Sequence, residues 1–366
     1  MGIRHTRVVD GLTAATPFVG PEALERRSGS KIELRLGANE SPFGPSPQAV
    51  AAMQAKTEIA QFYGDPEGVL LRRRLSELLS VPAENIVLGA GIDELLGQAC
   101  RLVVEPDDVV VTTLGSYPTF DYGAIGCGAR ILRVPYLHES VDVSGLLNAA
   151  AESKAKLIYV ANPDNPSGSW LEPRVIQQLI ENLPSGCLLL LDEAYVEFAP
   201  SALPLDVESP SVIRVRTFSK AHGMAGLRIA YAVSHSYHCM GLNKIRFHFA
   251  VNSVALAGAL ASLNAPEHVE HVVHETKLGR QRMAVRFAAL GFRSLPSHTN
   301  FLTVDIGSRT RAEAILERLL SLGVFIRKPG LPPLDTCIRV TVGRVEEQDA
   351  FFRAFEQVLR ETEHAR

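Results

Sequence analysis

The sequence predicts an α/β fold: a mostly parallel, seven-stranded sheet between helices, with a smaller α+β domain at the C-terminus and an arm at the N-terminus. Three observations point there. Seven short β-like runs recur between residues 86 and 233, most of them continuously apolar, as strands buried on both faces should be. Helical stretches such as 93–104 and 173–182 lie between some of them, the alternation that builds a covered parallel sheet. At 366 residues the chain exceeds one ordinary domain, so two closely packed lobes are expected.

Taken in order, residues 1 to about 40 show little periodicity and carry Pro17 and Pro21, which reads as an arm. The segment 37–47, GANESPFGPSP, is a Pro/Gly loop leading into a helix over 48–56. The seven strands are expected at 86–88, 109–112, 131–134, 157–160, 188–191, 212–217 and 229–233. A long helical region, 253–290, bridges to the second lobe. There the pattern reads strand 301–304, helix 311–322, short strands 324–327 and 337–342, and helix 347–361. The division is therefore an arm (1–40), a large α/β domain (41–250), and an interdomain helix with a small domain (251–366).

Composition narrows the function. A net charge of −3 gives no basic footprint for nucleic acid. Five cysteines, odd in number and never in a C-x-x-C pair, suit a reducing cytoplasm and neither a disulfide framework nor a metal site. No apolar run reaches membrane-spanning length, and the N-terminus lacks the apolar core of a signal peptide.

In open α/β sheets ligands sit beyond the carboxyl ends of strands. Four strand ends here carry chemistry. Gly89-Ala90-Gly91-Ile92-Asp93-Glu94 opens a helix, where free N–H groups and close backbone approach favour an anion; Asp93 also fits as a simple cap. It lacks the third glycine of a dinucleotide fingerprint and the G-K-[ST] of a P-loop. Asn162-Pro163-Asp164-Asn165-Pro166-Ser167-Gly168 reads by itself as a turn. Asp192, directly after four leucines, needs a cationic partner or a metal, and with no histidine nearby to share a metal a cation is expected. Lys220 stands at the mouth of a buried strand, with Arg228 eight residues on. Burying an ammonium is costly, and desolvation beside another cation frees the amine for imine chemistry.

Together these residues resemble the fold-type I pyridoxal-phosphate enzymes, class I/II aminotransferases, and among them the histidinol-phosphate aminotransferases. Matching segments run from Asn39-Glu40-Ser41-Pro42 to Leu322-Gly323-Val324-Phe325-Ile326-Arg327 and Cys337-Ile338-Arg339-Val340-Thr341, most of the chain. The resemblance implies pyridoxal 5′-phosphate as cofactor. It implies that Lys220 carries the internal aldimine and shuttles the substrate proton, and that Asp192 pairs with the ring nitrogen. Asn165 and Tyr195 would hydrogen-bond the phenolic oxygen, and Tyr117 would stack on the ring. The phosphate would lie on Gly91, Ile92 and Asp93, with Thr217, Ser219 and Arg228. Tyr63 corresponds to a residue reaching the neighbouring subunit's cofactor, which implies a homodimer with shared active sites.

For substrate, the resemblance implies glutamate as donor, a keto acceptor, and ping-pong transamination through one anion pocket. Arg339 and Arg327 are the candidates for that pocket, with Asn39, Asn300 and Phe18 as further contacts. Phe18 stands where related enzymes often place a tyrosine. Two arginines suit a phosphate such as that of histidinol phosphate. An aminotransferase for aromatic or other amino acids on the same scaffold, and a lyase resembling threonine-phosphate decarboxylase, stay open. Tyr195 favours transamination, since related decarboxylases tend to carry phenylalanine there. A non-catalytic binding protein is disfavoured by the intact Lys220, Asp192 and Arg228 set.

Overall fold

The computed structural model describes residues 3–12 and 19–364. Its strands in chain order are β1 (Leu34–Arg35), β2 (Ile86–Gly89), β3 (Val109–Thr113), β4 (Arg130–Val134), β5 (Leu157–Ala161), β6 (Leu188–Asp192), β7 (Val212–Thr217), β8 (Ala230–Ser234), β9 (Arg293–Ser294), β10 (Phe301–Asp305), β11 (Val324–Phe325) and β12 (Cys337–Thr341). Strands β2 to β8 form one sheet in the order β2-β8-β7-β6-β5-β3-β4. All seven expected runs lie in it, with ends displaced by one residue at most.

Within this sheet β8 alone runs antiparallel to its neighbours, and the other pairings are parallel. The cause is the short connection from β7 to β8, which holds only the 3-10 turn Ala225–Leu227. Without a crossover helix, the chain can only return antiparallel beside β7.

Burial follows the two-residue period of the strands. Leu157, Tyr159 and Ala161 face the layer holding helices Ile92–Val103 and Pro118–Gly126. Ile158 and Val160 face the layer of Val143–Ser153 and Pro173–Glu181. Both central strands, β5 and β6, are buried along their whole length. The edge strand β4 is mostly exposed or half-buried, which is why it tolerates Arg130 and Arg133.

The C-terminal lobe packs the sheet β12-β10-β9 on helices. In helix Val345–His364, Phe351, Phe352, Phe355, Val358 and Leu359 recur at helical spacing and close on Phe287. Truncating one of these rings, as in Phe355→Ala, costs about 3–5 kcal/mol on the usual scale for buried aromatics. Leu34 and Leu36 of the N-terminal segment enter the same core, and β1 pairs in parallel with β11.

Three expectations need correction. The region 253–290 is two helices, Ser253–Leu263 and Pro266–Ala289, because Pro266 can begin a helix but cannot continue one. The strand expected at 324–327 shrinks to β11, and Arg327 meets Arg339 only at an isolated bridge. The arm is not irregular: helix Pro21–Ser28 starts at its proline and stops at Gly29, whose φ of +69° suits glycine. Among the described residues no helix is long and apolar enough to cross a membrane.

Candidate active site

A cavity of about 580 Å³ opens at the carboxyl ends of the central strands and is roofed by the C-terminal lobe. Lys220, Asp192, Tyr195, Tyr117, Asn165 and Arg228 all line it, as do Ile92, Asp93, Thr217, Ser219, Asn39, Arg327 and Arg339. Residues 39 to 339 are thus gathered round one space.

Lys220 is placed by the turn that leaves β7. That turn packs so tightly on the Gly44-Pro45 backbone that a Cβ on Gly223 would lie 2.1 Å from the Gly44 carbonyl oxygen, at a φ of +71°. Only glycine fits there. Lys220 Nζ donates to the Ala38 carbonyl at 3.4 Å and sits 5.8 Å from the Tyr195 ring centroid. Burial, then the charges of Arg339 and Arg228, push its amine down to about 8. Near neutral pH a usable fraction is therefore the free base.

Asp192 ends β6 and is 3% exposed. Its carboxylate accepts from the Tyr159 hydroxyl at 2.9 Å and the Ala194 amide at 3.0 Å. Burial pushes it up to about 7 against those two hydrogen bonds. The next residue, Glu193, points to the opposite face and pairs with Arg214 at 2.5 Å and Arg216 at 2.8 Å. The alternation of the strand leaves Glu193 with two cations and Asp192 with none among the described residues. A buried carboxylate without a cation fits a ligand that brings a positive charge to this point.

The opposite end of the cavity suits an anion. Helix Ile92–Val103 starts at Gly91 without a side-chain cap, leaving its first amides to be satisfied from outside. Gly91 has a φ of +89°, and a Cβ there would lie 2.1 Å from the Arg228 guanidinium. Arg228 reaches Asp93 at 3.1 Å and the Ser219 hydroxyl at 3.4 Å. Thr217 donates to Ser219 Oγ at 2.9 Å, and Tyr117 donates to Asp93 at 2.8 Å. A dibasic phosphate is the group that amides, hydroxyls and a guanidinium together accommodate.

The third wall belongs to β12. Arg339 lies with its guanidinium 5.2 Å from the Phe301 ring, donates to Asn165 Oδ1 and reaches the Gly37 carbonyl at 3.0 Å. Its Nε is buried without a hydrogen-bond partner. Burial lowers Arg339 to about 10, with the neighbouring Arg327 adding to the effect. Arg327 donates to the Val19 carbonyl at 3.2 Å and is likewise lowered by burial.

Some candidates lie elsewhere. Tyr63 is 84% exposed and packs on Phe249 with centroids 4.7 Å apart, outside its own chain's cavity. Asn300 donates to the Asn39 carbonyl at 2.9 Å and reaches the site only through it. Phe18 lies outside the described residues. His222, two residues after Lys220, is buried against Ser262 at 2.8 Å, and burial lowers it to about 4, so it is a neutral packing group. Among the described residues no group of three or more His, Cys, Asp or Glu could hold a metal ion.

Nothing in the sequence alone marks Tyr159 as a site residue. In the parallel register Tyr159 faces Leu190, and so shares a sheet face with Asp192 two residues on. Placing β5 beside β6 would have revealed it.

A doubly wound sheet with a lysine, an aspartate and an anion-binding turn at its strand ends is the arrangement of a fold-type I pyridoxal-phosphate protein. The chain belongs to the class I and II aminotransferases, whose family pattern it matches over residues 31–355. It is 38% identical to a histidinol-phosphate aminotransferase of Roseiflexus castenholzii, with 96% of each chain covered. It is 36% identical to histidinol-phosphate aminotransferase 1 of Nitrosococcus oceani, again over 96% of each. A solved histidinol-phosphate aminotransferase from Sinorhizobium meliloti, in complex with pyridoxal-5′-phosphate, superposes with a TM-score of 0.95, 43% identity and 99% of each chain covered.

Proposed function

We propose that this pyridoxal-phosphate-dependent aminotransferase transfers the amino group of histidinol phosphate to 2-oxoglutarate, giving imidazole acetol phosphate and glutamate. The observation that carries the reading is one cavity holding a free-base-capable lysine, a buried carboxylate without a cation, and an uncapped helix start beside an arginine. When bound, pyridoxal 5′-phosphate supplies an aldehyde for the amine and an electron-accepting ring.

The protein does the rest. Asp192 holds a cationic ring nitrogen, and that charge in turn keeps Asp192 ionised. Arg228, Ser219, Thr217 and the amides of Ile92 and Asp93 hold the phosphate. Tyr117 covers the ring face. Asn165 and Tyr195 hydrogen-bond the phenolic oxygen. Lys220 would give up its link to the cofactor as the substrate's own amine takes its place, and the freed lysine amine would then take and return the proton at the substrate's Cα. Arg339 and Arg327 take the substrate anion: the phosphate of histidinol phosphate in one half-reaction, a carboxylate of 2-oxoglutarate in the other.

The chain works as a homodimer in the cytoplasm, with Tyr63 entering the partner's site. Support comes from the exposure of Tyr63 and of Phe249, on which it packs, with Phe62 and Phe247 also exposed, apolar surface that a second subunit would cover. The test is a half-reaction screen: cofactor-loaded protein is mixed separately with histidinol phosphate, glutamate, aromatic amino acids and phosphothreonine, and its visible absorbance is followed. Rapid conversion by histidinol phosphate and glutamate is expected. Conversion by glutamate and aromatic amino acids only would replace the substrate, and release of carbon dioxide from phosphothreonine would replace the reaction class.

A further inference from the structure

We propose that Asn39 is a positioning residue that fixes the Tyr195 hydroxyl as a proton donor toward the cofactor and ties it to the C-terminal lobe. The proposal rests on the cofactor reading above. Asn39 is 2% exposed and holds a φ of +55°, a left-handed conformation that non-glycine residues seldom adopt. Such a residue persists where its surroundings over-determine it.

Here they do. The Asn39 amide N–H donates to Thr341 Oγ1 at 3.1 Å, and the Asn39 carbonyl accepts from Asn300 at 2.9 Å. The Thr341 hydroxyl in turn donates to Asn39 Oδ1, at 3.2 Å. The side-chain amide therefore turns its oxygen to Thr341 and its nitrogen to Tyr195. Nδ2, which can only donate, lies 2.9 Å from the Tyr195 hydroxyl. Tyr195 oxygen must therefore accept from Asn39, leaving its single proton directed elsewhere.

Tyr195 lines the cavity, so that proton is available to a phenolic oxygen bound there. Accepting one hydrogen bond strengthens the next one donated. The charged groups acting on the ring are Arg339, Asp192 and Asp164, with Lys220 Nζ over its face. Asn39 is the one that bonds the hydroxyl among the described residues. Thr341 stands two residues from Arg339 on β12, so the strand that receives the substrate anion also anchors the group that aims Tyr195.

The test is the pH midpoint of the absorbance transition of the bound cofactor. A donor on the phenolic oxygen withdraws negative charge that would otherwise stabilise the protonated nitrogen nearby, so weakening the donor raises the midpoint. Asn39→Gly, which suits the positive φ, is expected to raise it by about half a pH unit, the size of one modest hydrogen bond. Tyr195→Phe should raise it further, and Asn39→Gly should add nothing in the Tyr195→Phe background. Thr341→Val, which unhooks Asn39 without removing it, should give a smaller shift of the same sign. It carries the test alone if Asn39→Gly does not fold.

An unchanged midpoint in Asn39→Gly, or an equal shift with and without the Tyr195 hydroxyl, would overturn the proposal. In both cases Tyr195→Phe still moves the transition, so the cofactor reading survives. A wild-type protein with no cofactor band would overturn that reading, and this proposal with it.

Discussion

Replacing Asp192 with asparagine should make the cofactor-free protein more stable at alkaline pH, although it removes a functional group. The carboxyl is raised from 3.8 to about 7, chiefly by burial. A raised folded value means the neutral acid is preferred, so its stability contribution is complete below about pH 4. It is lost progressively as pH rises through about 7. Three units at about 1.4 kcal/mol each give an upper bound near 4 kcal/mol, of which about 2–3 kcal/mol falls between pH 5 and pH 8. Asparagine has the same shape and stays neutral. Its amide can accept from Ala194 and donate to Tyr159 Oη, whose hydroxyl rotates to suit.

The assay is thermal unfolding of both cofactor-free proteins from pH 5 to pH 8. The Tm of Asp192→Asn relative to wild type should rise by about 5 °C across that range, at about 2 °C per kcal/mol for a chain of this size. Adding pyridoxal 5′-phosphate should reverse the advantage, since only the carboxylate pairs with the cationic ring. Parallel Tm curves at all pH values would refute the claim that Asp192 is buried without a counter-charge.

Two further outcomes follow from the same geometry. Lys220→Ala should lower kcat by more than about 10³-fold, as expected for loss of the group that moves the proton, while leaving the fold intact; stopped-flow half-reactions check this. Arg339→Ala should raise KM for histidinol phosphate and for glutamate alike, by about 30-fold or more, because the pocket loses a desolvated charge that both anions share. An effect confined to one half-reaction would show that the anion pocket is not shared.

The sheet was legible because its strands are buried on both faces and announce themselves as apolar runs. The residues after those runs, Asp192 and Lys220, were legible because a charge directly after four leucines or a buried strand has no comfortable structural role. What the sequence hid depends on which strands become neighbours. Tyr159 looks like an ordinary aromatic core residue until β5 is set beside β6. Asn39 looks like a substrate contact until Thr341, 302 positions away, donates to its side-chain Oδ1 and leaves its Nδ2 facing Tyr195. The break at Pro266 is hidden inside a long helical pattern, and the helix Pro21–Ser28, eight residues long, is too short to show a clear period.

The central claim is that Lys220 is the amine that carries the cofactor. Reducing the pyridoxal-phosphate-loaded protein with borohydride fixes that link, and digestion followed by mass spectrometry locates it. One stoichiometric adduct is expected, on the peptide containing Lys220. An adduct on another lysine, or none in a protein that shows the cofactor band, would contradict it.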